Sequence, residues 1–455
     1  MSGSSKIGFR YFIDPFGCAK NQVDAENIMA MLNNSGWTLS GADDADLIIV
    51  NSCGFIESAK QESINAVLEW RKLYPQKKIL LAGCLTQRYE NELKDSLIEA
   101  DAFFGNSDLS GIVTEAEKAV HGFSRKGPVR ERKNVCAEII IGERPLLSLP
   151  GSAYVKISEG CDNQCSYCAI PLIRGNLKSR NISDIIEECK ALLDRGITEL
   201  CLIGQDLGSF GSDSDPGASG QAGAPSLASL LEKISRLDGD FWVRLLYIHP
   251  DHFPLPILEN IKQDKRFLPY FDLPFQHASE KILRLMNRNG NAAKYLSLIK
   301  TIRKTLPDSV IRSTFMVGFP GEADEDFDAL LDFQEKAALD WMGCFAYSRE
   351  EDTQAYSMKS RVPKKTAIER KTILEERQIP ITENRMDRFI NRDFDVLIEE
   401  KVEGEEGLWL GRLFCHAPEV DGSAVISSDT ILKPGLLAKC RVIARRGIDL
   451  EVRAF

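Results

Sequence analysis

Residues 151 to about 345 alternate strand-like and helix-like patterns six times, and this repeat constrains the fold of the chain more than any other feature. Short apolar runs predict the strands, and apolar residues at helical spacing predict the helix after each one. Six such units favour an open, partial barrel whose site lies at the carboxyl ends of the strands. The predicted strands are 152–158, 199–205, 241–248, 270–275, 310–318 and 342–347, and the predicted helices lie near 183–195, 226–237, 256–264, 279–306 (broken around Asn289-Gly290), 324–338 and 364–389.

Polar residues follow the predicted strands where that rule expects a site. Gln205-Asp206 follow the second strand, His249-Pro250 the third, Gln276-His277 the fourth and Gly318–Glu322 the fifth. Taken alone, each histidine is equally well explained as an ordinary loop residue.

Three cysteines follow the first predicted strand in a C-x3-C-x2-C pattern: Cys161, Cys165 and Cys168. Three thiolates in one loop can hold three irons of a [4Fe–4S] cube and leave the fourth iron open to a substrate or cosubstrate. Zinc or a chance group of buried thiols is the alternative. Structural zinc usually needs four ligands, commonly in two pairs, and the sequence near this loop offers no second pair.

The loop from Glu159 to Pro171, followed by Arg174-Gly175, resembles the radical S-adenosylmethionine superfamily. The resemblance implies that the open iron chelates S-adenosylmethionine and that Tyr167 lies near its adenine. Packing is the alternative role for Tyr167. The resemblance also implies that the following residues lie near the cofactor: Gln205, Asp206, Arg312, Thr314 and Phe319.

The first 121 residues alternate strands and helices in a similar way. The runs 47–50 and 78–82 are typical of buried parallel strands, and helical patterns lie at about 24–35 and 58–73. Cys18, Cys53 and Cys84 each follow a predicted strand. Because the carboxyl ends of parallel strands share one edge, the three cysteines could meet there, although three unrelated buried cysteines would also explain them.

These three segments resemble the amino-terminal domain of the methylthiotransferase family, which implies a second, auxiliary [4Fe–4S] cluster on Cys18, Cys53 and Cys84. One departure from a smooth first strand is Pro15, which cannot donate a hydrogen bond to a sheet. We therefore expect this strand to end early.

The remaining segments complete a multidomain α/β chain. We predict an auxiliary-cluster domain at 1–121, a linker at 122–150 with Cys136 unassigned, a radical core at 151–390 with a Gly/Ser-rich insertion at 208–225, and a small all-β barrel at 391–455. Alternating runs at 394–400, 407–415, 423–427 and 437–455 predict that barrel, which resembles the TRAM domain, usually an RNA-binding module.

The net charge of the C-terminal barrel indicates which kind of partner it binds. Residues 391–455 hold nine Lys or Arg and twelve Asp or Glu, a net charge of −3, and the whole chain carries −10. An acidic barrel suits a basic protein better than RNA, which favours basic surfaces. Segments 244–250, 204–206 and 417–422 resemble the family branch that modifies an aspartate of the twelfth small-subunit ribosomal protein. The branch that modifies an adenosine of transfer RNA is the alternative.

The resemblance implies a mechanism. The cube on Cys161, Cys165 and Cys168 reduces S-adenosylmethionine, and the resulting 5′-deoxyadenosyl radical takes a hydrogen from the aspartate β-carbon. The auxiliary cube presents sulfur, and a second S-adenosylmethionine supplies the methyl group. An electron donor and an unidentified sulfur source are implied partners.

Two readings of other kinds stay open, a non-catalytic iron–sulfur carrier or redox sensor and a radical enzyme with another reaction. No apolar run reaches the length of a membrane span, and the first six residues lack a signal-peptide pattern, so we expect a cytoplasmic protein that does not bind membranes.

Overall fold

The computed structural model of the protein describes residues 8–121, 144–214 and 225–455. The chain divides into two compact units, Met1–Leu147 with Ala169–Asn176, and Ser148–Cys168 with Leu177–Phe455. Most of the predicted linker, including Cys136, and most of the predicted insertion lie outside the described residues. Within the described ranges, no helix is both long and apolar enough to cross a membrane.

The first unit alternates parallel strands with helices, as predicted. Its strands are β1 (Arg10–Pro15), β2 (Thr38–Leu39), β3 (Leu47–Ser52), β4 (Lys78–Gly83) and β5 (Ala102–Phe104). Its helices are α1 (Ala19–Asn34), α2 (Glu57–Leu73), α3 (Cys84–Ser96), α4 (Ile112–His121) and α5 (Ile170–Arg174). The strands form one sheet in the order β2-β1-β3-β4-β5, and every pair is parallel.

Both faces of the central strand β3 are buried. Leu47 and Ile49 pack into one apolar core with α1 and α4, whereas Ile48 and Val50 pack into a second core with α2 and α3. Successive side chains of a strand point to opposite faces, so a continuous apolar run requires cover on both sides. Burying each such side chain contributes about 1.5–3 kcal/mol, which favours the layered arrangement.

The first strand ends at Pro15, where the sequence suggested an early end, and no sheet pairing is lost before that point. β1 runs through Pro15, which lies opposite Asn51 of β3, and Phe16 then donates its backbone N–H to the carbonyl of Asn51 at 2.9 Å. The other neighbour, β2, pairs only as far as Tyr11. The N–H that Pro15 lacks would point to that side, beyond the end of β2, so no sheet hydrogen bond is lost.

The second unit contains a six-stranded parallel sheet with helices and a small antiparallel pair. Its first strands are β6 (Ser152–Lys156), β7 (Ser158–Glu159), β8 (Lys178–Ser179), β9 (Glu199–Ile203), β10 (Trp242–Leu245), β11 (Phe267–Asp272), β12 (Val310–Val317) and β13 (Trp341–Ala346). Its helices are α6 (Ile182–Asp194), α7 (Leu227–Ile234), α8 (Ile257–Gln263), α9 (Glu280–Leu285), α10 (Ala292–Thr305), α11 (Asp324–Ala337) and α12 (Lys364–Asp387). The large sheet has the order β6-β9-β10-β11-β12-β13, with β6 and β13 as its edges, which confirms the open six-unit barrel.

Every strand of this sheet differs from its predicted bounds by at least one residue, and two of the differences have a structural cause. The predicted strand 152–158 is two pieces, because β6 ends at Lys156 and β7 pairs antiparallel with β8 instead. β11 begins at Phe267, three residues early, and includes Pro269. The pairing of β10 with β11 shifts register at this point, and a bulge of that kind tolerates a residue without an N–H.

The last 65 residues form a closed five-stranded barrel, as predicted. Its strands are β14 (Asp393–Lys401), β15 (Leu408–Arg412), β16 (Ala424–Ser427), β17 (Leu437–Arg446) and β18 (Asp449–Ala454), in the order β14-β15-β16-β18-β17. The predicted run 437–455 is thus two strands, joined at Gly447 with φ 61°. Closure pairs every strand on both sides and leaves no open edge.

The C-terminal barrel packs against the amino-terminal ends of the large sheet. Trp341, the first residue of β13, donates its indole N–H to the carbonyl of Cys415 at 2.7 Å. Thr198, just before β9, donates its hydroxyl to the carbonyl of Gly435. The opposite, carboxyl ends of the strands are where the cysteine loop lies.

Candidate cysteine clusters and cofactor site

Cys18, Cys53 and Cys84 lie at the carboxyl ends of three neighbouring strands of the first unit. Cys18 precedes α1 just after β1, Cys53 follows β3, and Cys84 follows β4 and begins α3. Because β1, β3 and β4 are adjacent in the parallel sheet, these ends share one edge. The fold therefore brings together three cysteines that are far apart in sequence.

Glycines let the backbone segments that carry these cysteines approach closely. A Cβ added at Gly54 would lie 2.6 Å from the carbonyl oxygen of Cys84, and one at Gly17 would lie 3.2 Å from the Cβ of Cys53. The first distance is shorter than any ordinary contact and involves backbone, which cannot swing away. A side chain at position 54 would therefore push the Cys53 and Cys84 segments apart.

The thiols of this group influence one another. Burial raises the pKa of Cys53 to about 11, with a smaller contribution from charge repulsion by the neighbouring Cys84 and Cys18. Burial likewise raises the pKa of Cys84, whereas the positive charge of Arg174 acts to lower it. A thiolate in this place needs a positive partner, which a metal ion or a cation supplies.

Arg174 and Asn106 both direct N–H groups at the sulfur of Cys84. The Arg174 Nη2 lies 3.1 Å from Cys84 Sγ, and the Asn106 Nδ2 lies 3.2 Å from it. Arg174 also pairs with Asp24 of α1, with Nη1 2.6 Å from Oδ2. In the sequence Arg174 stands only in the run that flanks the cysteine motif, and no pattern there predicts these contacts. The one sequence feature that could point to this role is a positively charged residue shortly after a cysteine motif.

Cys161, Cys165 and Cys168 occupy the loop that follows β7, and all three are partly exposed. Ser166 holds this loop in place: its N–H donates to the carbonyl of Met286 at 3.0 Å and its hydroxyl donates to the carbonyl of Leu285 at 2.8 Å. The loop is therefore fixed to the turn after α9, while its three cysteines stay partly exposed.

Burial raises the pKa of Cys161, backbone and side-chain hydrogen bonds from Asn163 oppose that shift, and the charges of Asp206 and Cys165 add to it. A thiol with a raised pKa becomes a thiolate when a cation such as iron binds it.

Four of the residues expected near the cofactor lie around this loop. Tyr167 packs edge-to-face against Phe319 with ring centroids 6.5 Å apart, and both belong to an apolar cluster with Cys165 and Cys168. Gln205 donates to Glu159 at 3.1 Å. Asp206 accepts from Asn163 of the loop at 3.0 Å.

Arg312 and Thr314 lie on β12. Arg312 pairs with Asp272 at 3.2 Å and with Asp421 of the C-terminal barrel at 3.4 Å. Thr314 accepts a long hydrogen bond from Arg312 at 3.5 Å. Both residues are partly buried, and the contacts of Arg312 extend toward the C-terminal barrel. Their role near a cofactor stays a prediction.

The two histidines that follow predicted strands are buried. Burial lowers the pKa of His249 and of His277 to about 3 each, so both rings are neutral at physiological pH. Each accepts a backbone hydrogen bond two residues on: His249 from Asp251 at 3.2 Å and His277 from Ser279 at 3.0 Å. These contacts shape the loops after the strands.

Glu322 closes the loop after β12. Its carboxylate accepts from the backbone N–H of Phe319 at 3.0 Å and pairs with Arg370 of α12 at 2.8 Å. The turn that positions Phe319 beside Tyr167 is thereby tied to a helix. The sequence places Glu322 after the fifth predicted strand, but no pattern in it indicates this role.

Three family models match the chain in sequence order. The uncharacterized protein family UPF0004 matches residues 10–105, the Radical SAM superfamily matches 155–333 and the TRAM domain matches 390–454. Membership of the second implies one [4Fe–4S] cluster and S-adenosylmethionine as cofactors.

Solved structures share the fold at low sequence identity. The radical S-adenosylmethionine methyltransferase TsrM from Kitasatospora setae, with cobalamin and a [4Fe–4S] cluster bound, matches with a TM-score of 0.55 and 13% identity, over 77% of this chain and 74% of that one. The cobalamin-dependent S-adenosylmethionine radical enzyme OxsB matches with a TM-score of 0.50 and 11% identity, over 81% and 56%.

Curated relatives match along nearly the whole length. The ribosomal protein uS12 methylthiotransferase RimO of Treponema denticola is 47% identical over 97% of this chain and 100% of its own. The proteins of the same name from Clostridioides difficile and Aquifex aeolicus are 39% and 37% identical, each over 96% of this chain and over 97% and 95% of their own. The chain therefore belongs to the RimO family of radical S-adenosylmethionine methylthiotransferases.

Proposed function

We propose that this chain transfers a methylthio group to the β-carbon of an aspartate in ribosomal protein uS12, the twelfth protein of the small subunit. The observation that carries the proposal is the presence of two separate cysteine triads, one in each compact unit, in a chain that matches RimO proteins from end to end. One triad suits radical initiation and the other suits delivery of sulfur.

Cys161, Cys165 and Cys168 are proposed to hold the cluster that binds S-adenosylmethionine. Among the described residues, no three His, Cys, Asp or Glu side chains stand close enough to bind one single metal ion. The three cysteines of a cube bind three different irons, so they need not crowd as ligands of a single zinc ion do. When bound, this cluster supplies the electron that cleaves S-adenosylmethionine.

The surrounding residues suit that cofactor. Tyr167 and Phe319 form an apolar wall beside two of the cysteines, which fits the flat face of an adenine. Asp206 accepts hydrogen bonds from Asn163 of the loop and from the backbone N–H of His249, at 3.0 and 2.9 Å. It therefore connects the cysteine loop to the segment that follows β10.

Cys18, Cys53 and Cys84 are proposed to hold the second, auxiliary cluster. Their fit rests on the shared sheet edge, on the close backbone approach that Gly54 permits, and on the two N–H donors directed at the Cys84 sulfur. Hydrogen bonds to ligand sulfurs are the usual surroundings of iron–sulfur clusters.

The proposed partners follow from charge and from the names of the relatives. A C-terminal barrel with a net charge of −3 suits a basic ribosomal protein. An electron donor and a sulfur source are also required, and a ribosomal substrate implies a cytoplasmic location. The domain bounds 1–121, 122–150, 151–390 and 391–455 stay predictions.

Mass spectrometry of uS12 and of bulk transfer RNA, from a strain with and without this gene, tests the substrate. We expect the methylthio adduct on uS12 to disappear and the RNA to stay unchanged. Loss of the adduct on RNA alone would contradict the proposal and favour the transfer-RNA branch.

Formation of 5′-deoxyadenosine tests the enzyme against the non-catalytic reading. We expect reduced, reconstituted protein to form it from S-adenosylmethionine, whereas a cluster carrier would form none. Deoxyadenosine without a methylthio product on any target would indicate a radical enzyme with another reaction.

A further inference from the structure

Arg174 is fixed beside the sulfur of Cys84. It is the last residue of α5, and that helix belongs to the first unit although it follows Cys168 in sequence. Its side chain and that of Asp24 are each 3% exposed, and the two are joined by a contact of 2.6 Å. With one arm of the guanidinium held by Asp24, the other arm is directed at Cys84 Sγ, 3.1 Å away.

The two N–H donors around Cys84 suit a ligand sulfur, and a neutral thiol would in addition donate to Asn21 Oδ1, 3.6 Å away. Cys84 Sγ receives a second N–H from Asn106, at 3.2 Å. A thiol is a weak acceptor, whereas a metal-bound thiolate accepts charge-assisted hydrogen bonds well. Two donors gathered at one sulfur, one of them a buried cation, match what surrounds cluster ligands in iron–sulfur proteins.

The charge of Arg174 also reaches the other two cysteines. It acts to lower the pKa of Cys18 and of Cys53, as it does for Cys84. A reduced cluster carries one more negative charge than the oxidised form, so a nearby cation that is shielded from water favours reduction.

We propose that Arg174 is a positioning residue for the auxiliary cluster: its guanidinium, oriented by Asp24, holds the Cys84 sulfur and sets the reduction potential and retention of that cluster. This inference rests on the proposed cluster at Cys18, Cys53 and Cys84. Nothing in it requires Arg174 to touch substrate.

Arg144 offers a matched control within the same unit. It too is buried, at 2% exposed, and it pairs with Glu26 of the same helix α1 at 2.9 Å. Replacing either arginine by glutamine removes a guanidinium that pairs with a buried carboxylate of α1. Each variant therefore loses one buried ion pair to α1. Arg174→Gln loses in addition the hydrogen bond to the Cys84 sulfur.

The test uses the full chain with Cys161, Cys165 and Cys168 all replaced by alanine, so that only the auxiliary site can hold a cluster. Iron and sulfide are counted after anaerobic reconstitution, the midpoint potential is followed by electron paramagnetic resonance, and iron loss to a chelator is timed. Arg174→Gln, Arg174→Lys and Arg144→Gln are compared in this background.

We expect Arg174→Gln to shift the midpoint potential to more negative values and to speed iron loss on the order of tenfold, the usual size of an outer-ligand effect. Arg174→Lys keeps the charge without the forked geometry, so its midpoint potential and its rate of iron loss should lie between those of the parent and of Arg174→Gln. Arg144→Gln should match the parent. The double variant Arg174→Gln with Asp24→Asn also removes the negative charge of Asp24, which acts on Cys84 in the opposite direction to Arg174, so it should show a smaller negative shift and the same faster loss of iron.

An Arg174→Gln protein with the parent's potential and rate of iron loss would overturn the inference, and so would an equal shift in Arg144→Gln. If Arg174→Gln does not fold, the double variant and Arg174→Lys decide by the same two measurements. A parent that binds no iron contradicts the auxiliary cluster and the inference together, whereas bound iron that is indifferent to Arg174 contradicts the inference alone.

Discussion

Arg412 and Glu199 form an ion pair inside the second unit, with the guanidinium Nη2 2.6 Å from the carboxylate Oε2 and both side chains almost fully buried. Arg412 ends β15 of the C-terminal barrel, and Glu199 begins β9 of the large sheet. Arg244 of β10 donates to the other oxygen of the same carboxylate at 2.8 Å. The C-terminal barrel is thus joined to the sheet by a buried charge network and packs as part of one unit.

Breaking this pair should destabilise the second unit strongly. Arg412→Gln leaves Glu199 buried without its main partner, a change that typically costs about 3–5 kcal/mol. Urea unfolding measures the loss. Arg441→Gln is the control, because Arg441 pairs with Asp393 on the exposed surface of the same barrel and should leave the midpoint unchanged. Equal midpoints for the two variants would contradict the prediction.

The same network predicts how stability depends on pH. Burial acts to raise the pKa of Glu199, but the charges of Arg412 and Arg244 outweigh it and lower the pKa from 4.5 to about 2. A carboxyl group with a lowered folded pKa stabilises the protein above its unfolded pKa, and that contribution is lost as the pH falls toward the folded value.

We therefore expect about 3 kcal/mol of the unfolding free energy to disappear between pH 4.5 and about 2. Urea titrations across this window, for the parent and for Glu199→Gln, measure the slope. Glu199→Gln should lack this part of the pH dependence. If the unfolding free energies of the parent and of Glu199→Gln fall in parallel across this pH window, the lowered pKa of Glu199 is contradicted.

Single cysteine variants should separate the two proposed clusters. The parent should hold roughly eight irons after reconstitution, and Cys161→Ala and Cys53→Ala should each lower that count toward roughly four. Cys161→Ala should form no 5′-deoxyadenosine, whereas Cys53→Ala should still form it but add no methylthio group. Cys440→Ala, a buried cysteine of the C-terminal barrel, is the control. Sulfur insertion by Cys53→Ala would refute the auxiliary role.

A methyl group at Gly54 should damage the auxiliary site while leaving the other cysteine loop intact. Its Cβ would lie 2.6 Å from the carbonyl oxygen of Cys84, so the two backbone segments must separate, at a cost of about 1–3 kcal/mol. We expect Gly54→Ala to lose about half of its iron and to keep formation of 5′-deoxyadenosine. Gly41→Ala meets open space and should behave as the parent. Full iron content in Gly54→Ala would contradict the predicted clash.

The sequence predicted those features that depend on local pattern. The apolar run at 47–50 forms β3, and the six strand–helix units form the open sheet, because periodicity reports directly which faces are covered. Strand ends were harder to predict. Pro15 suggests a break when read locally, yet it falls where the neighbouring strand does not need an N–H.

Contacts between side chains from distant parts of the chain could not be predicted from the sequence. Arg174 is one of 57 Lys and Arg residues, and its spacing from Cys168 does not show that it meets Cys84, 90 residues away. The pairing of Arg412 with Glu199 spans 213 positions. Such contacts depend on tertiary packing, which one sequence does not encode in any short pattern.

The membership of α5 in the first unit restricts how this chain can be recombined with its relatives. Ala169–Asn176 belongs to the first unit, whereas the residues on both sides of it belong to the second. A hybrid gene with one crossover after Leu147 would join α1 and its Asp24 from one parent to an α5 from another. A hybrid that takes both Met1–Leu147 and Ala169–Asn176 from the same parent keeps Asp24 and Arg174 from one protein. We therefore expect the sequences of α1 and α5 to be inherited together.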